Sequence, residues 1–263
     1  MMENVIAFFS KLLGMPVLAS KHGIEVDNLI IYVHWLMIAL FIGWLGYFVY
    51  ALFRFRKGKH PRADYDGVKS HASTYVEVAV AVIEGVLLIG FAIPFWYQNA
   101  GKFPAESEST VVHVVAQQFA WNVRYPGADG KAGRQDFHLV NAATNPFGLD
   151  PNDPDGKDDF ATVNDLHVPI NKPVIINLTS KDVIHSFKVI AMRITQDAIP
   201  GLKIPSHFTP TKIGTYQINC AQLCGNGHAS MSNGRLVVQT QEDFDKWIAA
   251  KSKTGGGASQ SFE

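Results

Sequence analysis

The sequence predicts a two-helix transmembrane hairpin followed by an all-β domain outside the membrane. Three observations support this prediction: two long apolar stretches in the first 100 residues, a basic segment between them, and short β-rich runs separated by turn signals after residue 110. Apolar residues make up 47% of the 263 residues, and charged residues only 17%. Because the apolar excess is concentrated in the two stretches, it indicates membrane spans.

Each apolar stretch is long enough to cross a bilayer. Residues 29–53 contain no Asp, Glu, Lys or Arg, and at about 1.5 Å per residue such a helix exceeds a hydrocarbon core of about 30 Å. Residues 76–97 form the second stretch, which is interrupted by Glu77 and Glu84. Both stretches are apolar on all sides, which favours membrane spans over buried helices of a soluble domain.

The segment between the two spans indicates their orientation. Residues 54–75 contain six Lys or Arg residues against two Asp residues. The positive-inside rule places such a segment in the cytoplasm. Both termini and the β-rich domain are then expected on the outer, periplasmic side of a bacterial-type inner membrane.

The N-terminal segment allows two interpretations. A signal peptide could end near Ala19, but the first residues are not basic, and Lys11 and Pro16 interrupt the apolar run. We therefore expect an interfacial or periplasmic helix instead. The predicted organisation is an N-terminal extracytoplasmic segment at 1–28, a helix hairpin at 29–99, an outer domain at 100–250 and a flexible tail at 251–263.

The outer domain has the sequence pattern of a β-sandwich or a β-barrel. Turn signals such as Pro126-Gly127 and Pro200-Gly201 separate its β-rich runs, and this spacing predicts short strands with antiparallel pairing. The predicted strands are 111–121, 135–140, 166–168, 174–179, 186–191, 214–219 and 235–240. Residues 242–250 are predicted to form one closing helix.

Residues 129–165 are acidic, with eight Asp residues against three Lys or Arg residues. A solvated acidic insertion is the plain interpretation of this segment. Attraction of a basic partner is the alternative, since complementary fields raise association rates.

The residues best suited to chemistry lie near the C-terminus. Cys220 and Cys224 are the only cysteines in the chain, and His228 and Met231 follow them closely. His185 lies 35 residues upstream of Cys220. Thiolate, imidazole and thioether form a soft ligand set that suits copper.

The second cysteine favours a binuclear copper centre. A blue mononuclear site uses one Cys, two His and a weak Met ligand, whereas two thiolates can each bridge a pair of copper ions. His185 and His228 can supply one nitrogen each, and Met231 and a main-chain carbonyl can supply weak axial ligands. A disulfide in an oxidising compartment or a tetrahedral zinc site of two Cys and two His would leave Met231 unexplained.

The pattern Cys-x-x-x-Cys-x-x-x-His-x-x-Met, preceded by His-Ser-Phe at 185–187, resembles the CuA domain of cytochrome c oxidase subunit II. Gln-Phe-Ala-Trp at 118–121 and Asp-Ala-Ile-Pro-Gly at 197–201 extend the resemblance, which covers about residues 25–250. The resemblance implies that the outer domain is a cupredoxin-like Greek-key sandwich.

The resemblance also implies how the copper ions are held. His185 and Met231 bind one copper, and His228 and the Gln222 carbonyl bind the other, while both cysteines bridge the pair. The implied ligands are His185, Cys220, Gln222, Cys224, His228 and Met231. Gln222 replaces the usual Glu of the family, so no magnesium site is assigned.

Two further roles are implied by the resemblance. Phe119 replaces the Trp that receives the electron in the family, so Trp121 is the next candidate for that role, and packing over the copper loop is its alternative. Glu77 is the candidate for the proton-uptake entrance. Burial of Glu77 against a polar group of subunit I is the alternative.

The implied function is that of subunit II of a terminal cytochrome c oxidase. Its copper centre would accept electrons from a c-type cytochrome and pass them to haem in subunit I, which reduces O2 to water and pumps protons. The chain contains no Cys-x-x-Cys-His, so haem is expected only in a partner subunit. Other oxidase subunits and membrane lipid are the further expected partners, and the zero net charge argues against nucleic acid.

Three other classes of protein share part of this pattern. Nitrous oxide reductase uses the same ligand pattern but needs a large additional domain, and quinol oxidase subunits lack the copper cysteines. A membrane-anchored copper delivery or storage protein without redox turnover remains the alternative.

Overall fold

A computed structural model describes residues 8–62, 65–66, 69–127, 129–141, 145 and 147–254. The chain divides into two compact units. One unit contains two long helices. The other contains the β-domain together with Pro16–Ile24.

The helical unit is formed by α1, Gly23–Arg54, and α2, Ala72–Gly101, both long and apolar enough to cross a membrane. Their apolar side chains are largely exposed, as expected of helices surrounded by lipid. Within α2, π-helical turns at Leu87–Ala92 and Tyr97–Gly101 flank Pro94. Proline has no N–H to donate to the helix, and such local π adjustments accommodate it.

The β-domain consists of two five-stranded sheets, ordered β3-β2-β1-β5-β8 and β4-β10-β9-β6-β7. The strands are β1 Thr110–Gln117, β2 Ala120–Tyr125, β3 Phe160–Val163, β4 Asp165–Pro169, β5 Val174–Ser180, β6 His185–Val189, β7 Ile194–Ala198, β8 Ile204–Phe208, β9 Gly214–Cys220 and β10 Gly234–Gln239. The predicted fold class, a two-helix hairpin followed by an all-β cupredoxin-like Greek-key sandwich, is confirmed.

The expected antiparallel pairing is found for most strand pairs of the described residues but is wrong for two of them. β1 pairs with β5, and β4 pairs with β10, in parallel register. Period-two alternation of apolar residues indicates which face of a strand is buried, but it does not specify the direction of the neighbouring strand. The order in which the chain crosses between the two sheets decides that direction.

Several predicted strand boundaries are also corrected. The run 111–121 forms parts of two strands, because the chain turns at Gln118 and Phe119. The segment 135–140 is not a strand: the Asp136 side chain accepts a hydrogen bond from the backbone N of His138, and a 3-10 turn follows. Strands β3, β7 and β8 were not predicted. The closing helix, α3, is Gln241–Thr254, so it includes residues 251–254, which were predicted to belong to the flexible tail. Residues 255–263 of the predicted tail lie outside the described residues.

The segment Pro16–Ile24 is an integral part of the β-domain. Ala19 is fully buried, and its backbone N and O bond to Ala191 and Thr211. The hydroxyl of Ser20 donates to the carbonyl of Met192 over 2.7 Å. These contacts hold Ala19 and Ser20 against the rest of the β-domain. Upstream, residues 8–12 are helical.

The insertion between β2 and β3, residues 126–159, is attached to the first sheet through Arg124 of β2. Some of its carboxylates bond within the insertion. Asp150 pairs with the Arg134 side chain at 2.9 Å, and Asp153 accepts a hydrogen bond from the Arg134 backbone N over 2.6 Å. Asp159 forms a buried ion pair with Arg124 of β2 and accepts from the backbone N of Gly133. These Asp side chains therefore stabilise the insertion and its attachment to β2.

We expect Asp159→Asn to destabilise the β-domain by about 3–5 kcal/mol, because the Arg124 guanidinium would remain buried without a counter-charge. Thermal or denaturant unfolding of the full chain in detergent would measure this loss. The double variant Arg124→Met/Asp159→Leu is the control. It should recover most of the stability, and equal instability of both variants would contradict the electrostatic explanation.

Candidate metal centre

The ligand segments meet at one end of the second sheet. β6 begins with His185, and β9 ends with Cys220. These strands are neighbours, with Phe187 opposite Cys220, and the backbone N of Ala221 donates to the carbonyl of Ser186. The strand pairing therefore places a histidine and a cysteine from distant parts of the sequence side by side.

The donor atoms of these segments converge. The Sγ atoms of Cys220 and Cys224 are 4.0 Å apart, and both thiols are free, since a disulfide requires about 2.05 Å. His185 Nδ1 lies 4.0 Å from Cys220 Sγ, and His228 Nδ1 lies 3.4 Å from Cys224 Sγ. The Gln222 carbonyl is 3.0 Å from Cys220 Sγ. The donor atoms of His185, Cys220 and Cys224 all lie within 4.8 Å of one another.

Met231 follows on the same loop, in the 3-10 helix His228–Asn233, and is fully buried. Trp121 Nε1 donates to the Met231 carbonyl over 2.9 Å. The Trp121 ring is fully buried and makes edge contacts with Phe187 and His185. Trp121 therefore packs behind the ligand loop, and its role in receiving electrons stays a prediction.

Asp182 fixes the orientation of His185. Its Oδ1 lies 2.9 Å from His185 Nε2, which leaves Nδ1 directed at Cys220. A carboxylate on the second ring nitrogen is the usual way in which proteins orient a histidine ligand. The role of Asp182 was not predicted, although the spacing Asp-x-x-His was visible in the sequence.

Gln118 joins the two ligand segments. Its backbone N donates to Asp182 Oδ2 and its side-chain Nε2 donates to the Cys224 carbonyl, both over 2.7 Å. One residue of the β1–β2 turn thus holds the segment containing His185 and the loop containing Cys224. No local sequence pattern indicates this role, because both bonds join residues that are far apart in the sequence.

The Phe119 ring lies so close to the ligand loop that only glycine fits at the position of contact. A Cβ on Gly227 would lie 2.3 Å from Phe119 Cδ2, which is closer than two carbons can approach. Gly225 has φ of 132°, a conformation that favours glycine. These two glycines allow the loop to pass closely under the ring.

The protonation of the site is set by burial and by neighbouring charge. Burial raises the pKa of Cys224 to about 11, and the neighbouring Cys220 thiol adds to this rise. For Asp182, burial raises the pKa, but hydrogen bonds from Gln118, His185 and Val183 outweigh it, so the pKa lies below its usual value. Cys224 is therefore protonated near neutral pH, and a metal cation must displace its proton. Metal affinity should consequently fall as the pH falls.

The two intramembrane acids belong to the other unit. Glu77 and Glu84 lie on α2 with exposed side chains. Their spacing of seven residues puts both on one broad face of the helix. Their predicted roles remain predictions.

Two long apolar helices and a sandwich with free thiols and imidazoles at one end define a membrane-anchored, cupredoxin-like protein. The family model for the cytochrome c oxidase subunit II periplasmic domain matches residues 110–240. The alternative cytochrome c oxidase subunit 2 of Bradyrhizobium diazoefficiens is 32% identical over 236 residues, covering 89% of this chain and 82% of that protein. The cytochrome c oxidase subunit 2 of Synechocystis is 30% identical, covering 90% and 75%.

The chain belongs to the cytochrome c oxidase subunit II family, as the resemblance predicted. The family contributes a copper-binding domain to an oxidoreductase complex, and subunit I is the partner that it implies. Among solved structures, the periplasmic domain of the Bradyrhizobium japonicum subunit II is 25% identical, with a TM-score of 0.43. The match covers 59% of this chain and 99% of the Bradyrhizobium japonicum chain.

We expect Gln118→Leu to loosen the ligand loop, because it removes the bond to the Cys224 carbonyl. One such bond contributes about 0.5–1.5 kcal/mol, so alkylation of Cys224 in metal-free protein should accelerate by roughly two- to tenfold. Gln117→Leu is the matched control, since the Gln117 side chain bonds to Lys181 instead. Equal rates in both variants would contradict the assigned role.

Proposed function

We propose that this chain is the electron-accepting subunit of a terminal cytochrome c oxidase, with a binuclear CuA centre in its outer domain. The observation that carries the proposal is the pair of free thiols 4.0 Å apart, each with a further potential ligand beside it. Two bridging sulfurs with separate terminal ligands suit two metal ions better than one.

The residues present fit this copper pair. The donors are thiolate, imidazole, thioether and carbonyl groups, a soft set that suits copper. Cys220 and Cys224 would bridge the two ions. His185 and Met231 would complete the ligand set of one copper ion. His228 and the Gln222 carbonyl would complete the ligand set of the other. Zinc would use the cysteines and histidines but would leave the buried Met231 without a role.

When bound, the copper pair supplies a one-electron carrier. The protein contributes a pre-formed site: Asp182 orients His185, Gln118 holds the loop, and the Trp121 bond fixes the Met231 backbone. A site that is held rigidly needs little rearrangement when its charge changes.

The partners follow from the family and from the orientation of the spans. With the basic segment 54–75 in the cytoplasm, the β-domain faces the outer side, where a c-type cytochrome can donate single electrons. Haem in subunit I would then receive them and reduce O2 to water with proton pumping. His228 is only partly buried, whereas His185 is fully buried, so the His228 side of the site is the more accessible to a donor.

We predict two copper ions per chain in the oxidase complex purified with its native partners. Electron paramagnetic resonance should show a delocalised mixed-valence pair with hyperfine structure from two equivalent nuclei. Cys224→Ser should abolish this signal because it removes one bridging sulfur. Met231→Leu is the contrasting variant: it should keep both coppers and shift the reduction potential.

A single Cu(I) ion per chain that never gives an electron paramagnetic resonance signal would instead favour the alternative of a copper delivery or storage protein. A disulfide between Cys220 and Cys224 in the metal-replete complex would overturn both possibilities.

Glu77 is proposed as the proton-uptake entrance on the cytoplasmic side, since acids within membrane spans are commonly functional. Glu77→Ala should slow oxidase turnover and proton uptake while leaving the copper spectrum intact. Glu84→Ala, two turns along the same helix, tests whether the effect is specific. Turnover of Glu77→Ala that equals wild type at every pH would remove this role.

A further inference from the structure

A polar cleft separates the first sheet from the β2–β3 insertion. Its volume is about 510 Å³, which falls within the range typical of small-molecule sites. All of its lining residues belong to the β-domain, and none is among the residues assigned to the copper centre. The cleft therefore requires an explanation of its own.

The floor of the cleft is built from three adjacent strands. His113 of β1 is opposite Arg124 of β2 on one side and opposite Asn177 of β5 on the other. Arg124 and Asn177 are buried, with 1% and 8% of their surface exposed. Side chains in register on one face of a sheet form a fixed row, so these polar groups are held in place before any ligand arrives.

The position of Arg124 is fixed by further bonds. Its guanidinium donates to Asp159 and to the carbonyl of Gly133 over 2.6 Å. Because Asp159 is the last residue of the insertion, the ion pair that attaches the insertion also holds Arg124 in its place on the floor of the cleft. Lys203 and Glu106 are exposed at the rim.

The cleft is lined by charged groups of both signs. Burial, together with the charges of Arg124 and Lys203, lowers the pKa of His113 to about 4. Arg124 is paired with Asp159, so Lys203 is the lining cation whose charge is available to a ligand, and Glu106 is the lining carboxylate. At neutral pH His113 is uncharged and can form hydrogen bonds to a ligand.

We propose that this cleft binds a small organic anion whose carboxylate or phosphate group is held by Lys203 and Arg124. Asn177 and His113 supply neutral hydrogen-bonding groups for the rest of the ligand. Guanidinium and ammonium groups recognise both kinds of oxyanion, and the cleft is large enough for a metabolite rather than for an inorganic ion alone. The inference does not depend on copper.

Calorimetry of the full chain in detergent, at low salt, tests the proposal. Citrate and glucose 6-phosphate are the two anionic probes, and glucose is the neutral control. At least one anion should bind with a Kd below about 1 mM, while glucose should not bind. The two probes distinguish a preference for carboxylate from a preference for phosphate ester.

Two variants of lining residues and one control variant test which side chains bind the anion. Lys203→Met should weaken anion binding by about tenfold or more, since it removes a charge-assisted contact. Lys212→Met, which replaces an exposed lysine that does not line the cleft, should change binding less than twofold. Asn177→Asp should also abolish binding by placing a negative charge on the floor. Thermal unfolding curves like those of the wild type would show that each variant is folded.

Absence of saturable binding by either anion, or glucose binding as tightly as the anions, would overturn the proposal. Equal weakening by Lys203→Met and Lys212→Met would do so as well, because it would show a general effect of protein charge. None of these outcomes bears on the copper content of the same samples, which tests the function proposed above.

Discussion

The metal centre depends on the hydrogen bonds that meet at Asp182. This carboxylate accepts from the backbone of Gln118 and contacts His185, while the Gln118 side chain bonds to the Cys224 carbonyl. One turn between two strands of the first sheet thereby connects both ligand segments of the second sheet. Without these bonds the histidine segment and the cysteine loop would be joined to each other mainly by the β6–β9 pairing, which involves few residues.

The environment of Cys224 favours its protonated form when no metal is bound. Burial, together with the Cys220 thiol 4.0 Å away, raises the pKa of Cys224 to about 11. A metal cation beside this sulfur would favour its thiolate form. The buried Cys224 thiol is therefore better suited to binding a cation than to standing free as a thiolate.

The acidic insertion shows what composition alone leaves open. Eight Asp residues against three basic residues in 129–165 predicted a solvated acidic insertion, with attraction of a basic partner as the alternative. In the structure, Asp150, Asp153 and Asp159 bond within the domain and shape the insertion. Whether the remaining charge also attracts a donor depends on exposure, which a count of charges does not give.

The sequence by itself determined the two long apolar helices and the all-β outer domain, and it predicted the copper ligands, because these depend on local composition and on short fixed spacings such as Cys220 to Cys224. Tertiary structure alone decided the two parallel strand pairings, the role of Gln118 and the burial of Trp121. It also aligned His113, Arg124 and Asn177 in one row. These features join residues that are distant in sequence, and the order in which strands cross between the sheets decides which of them meet.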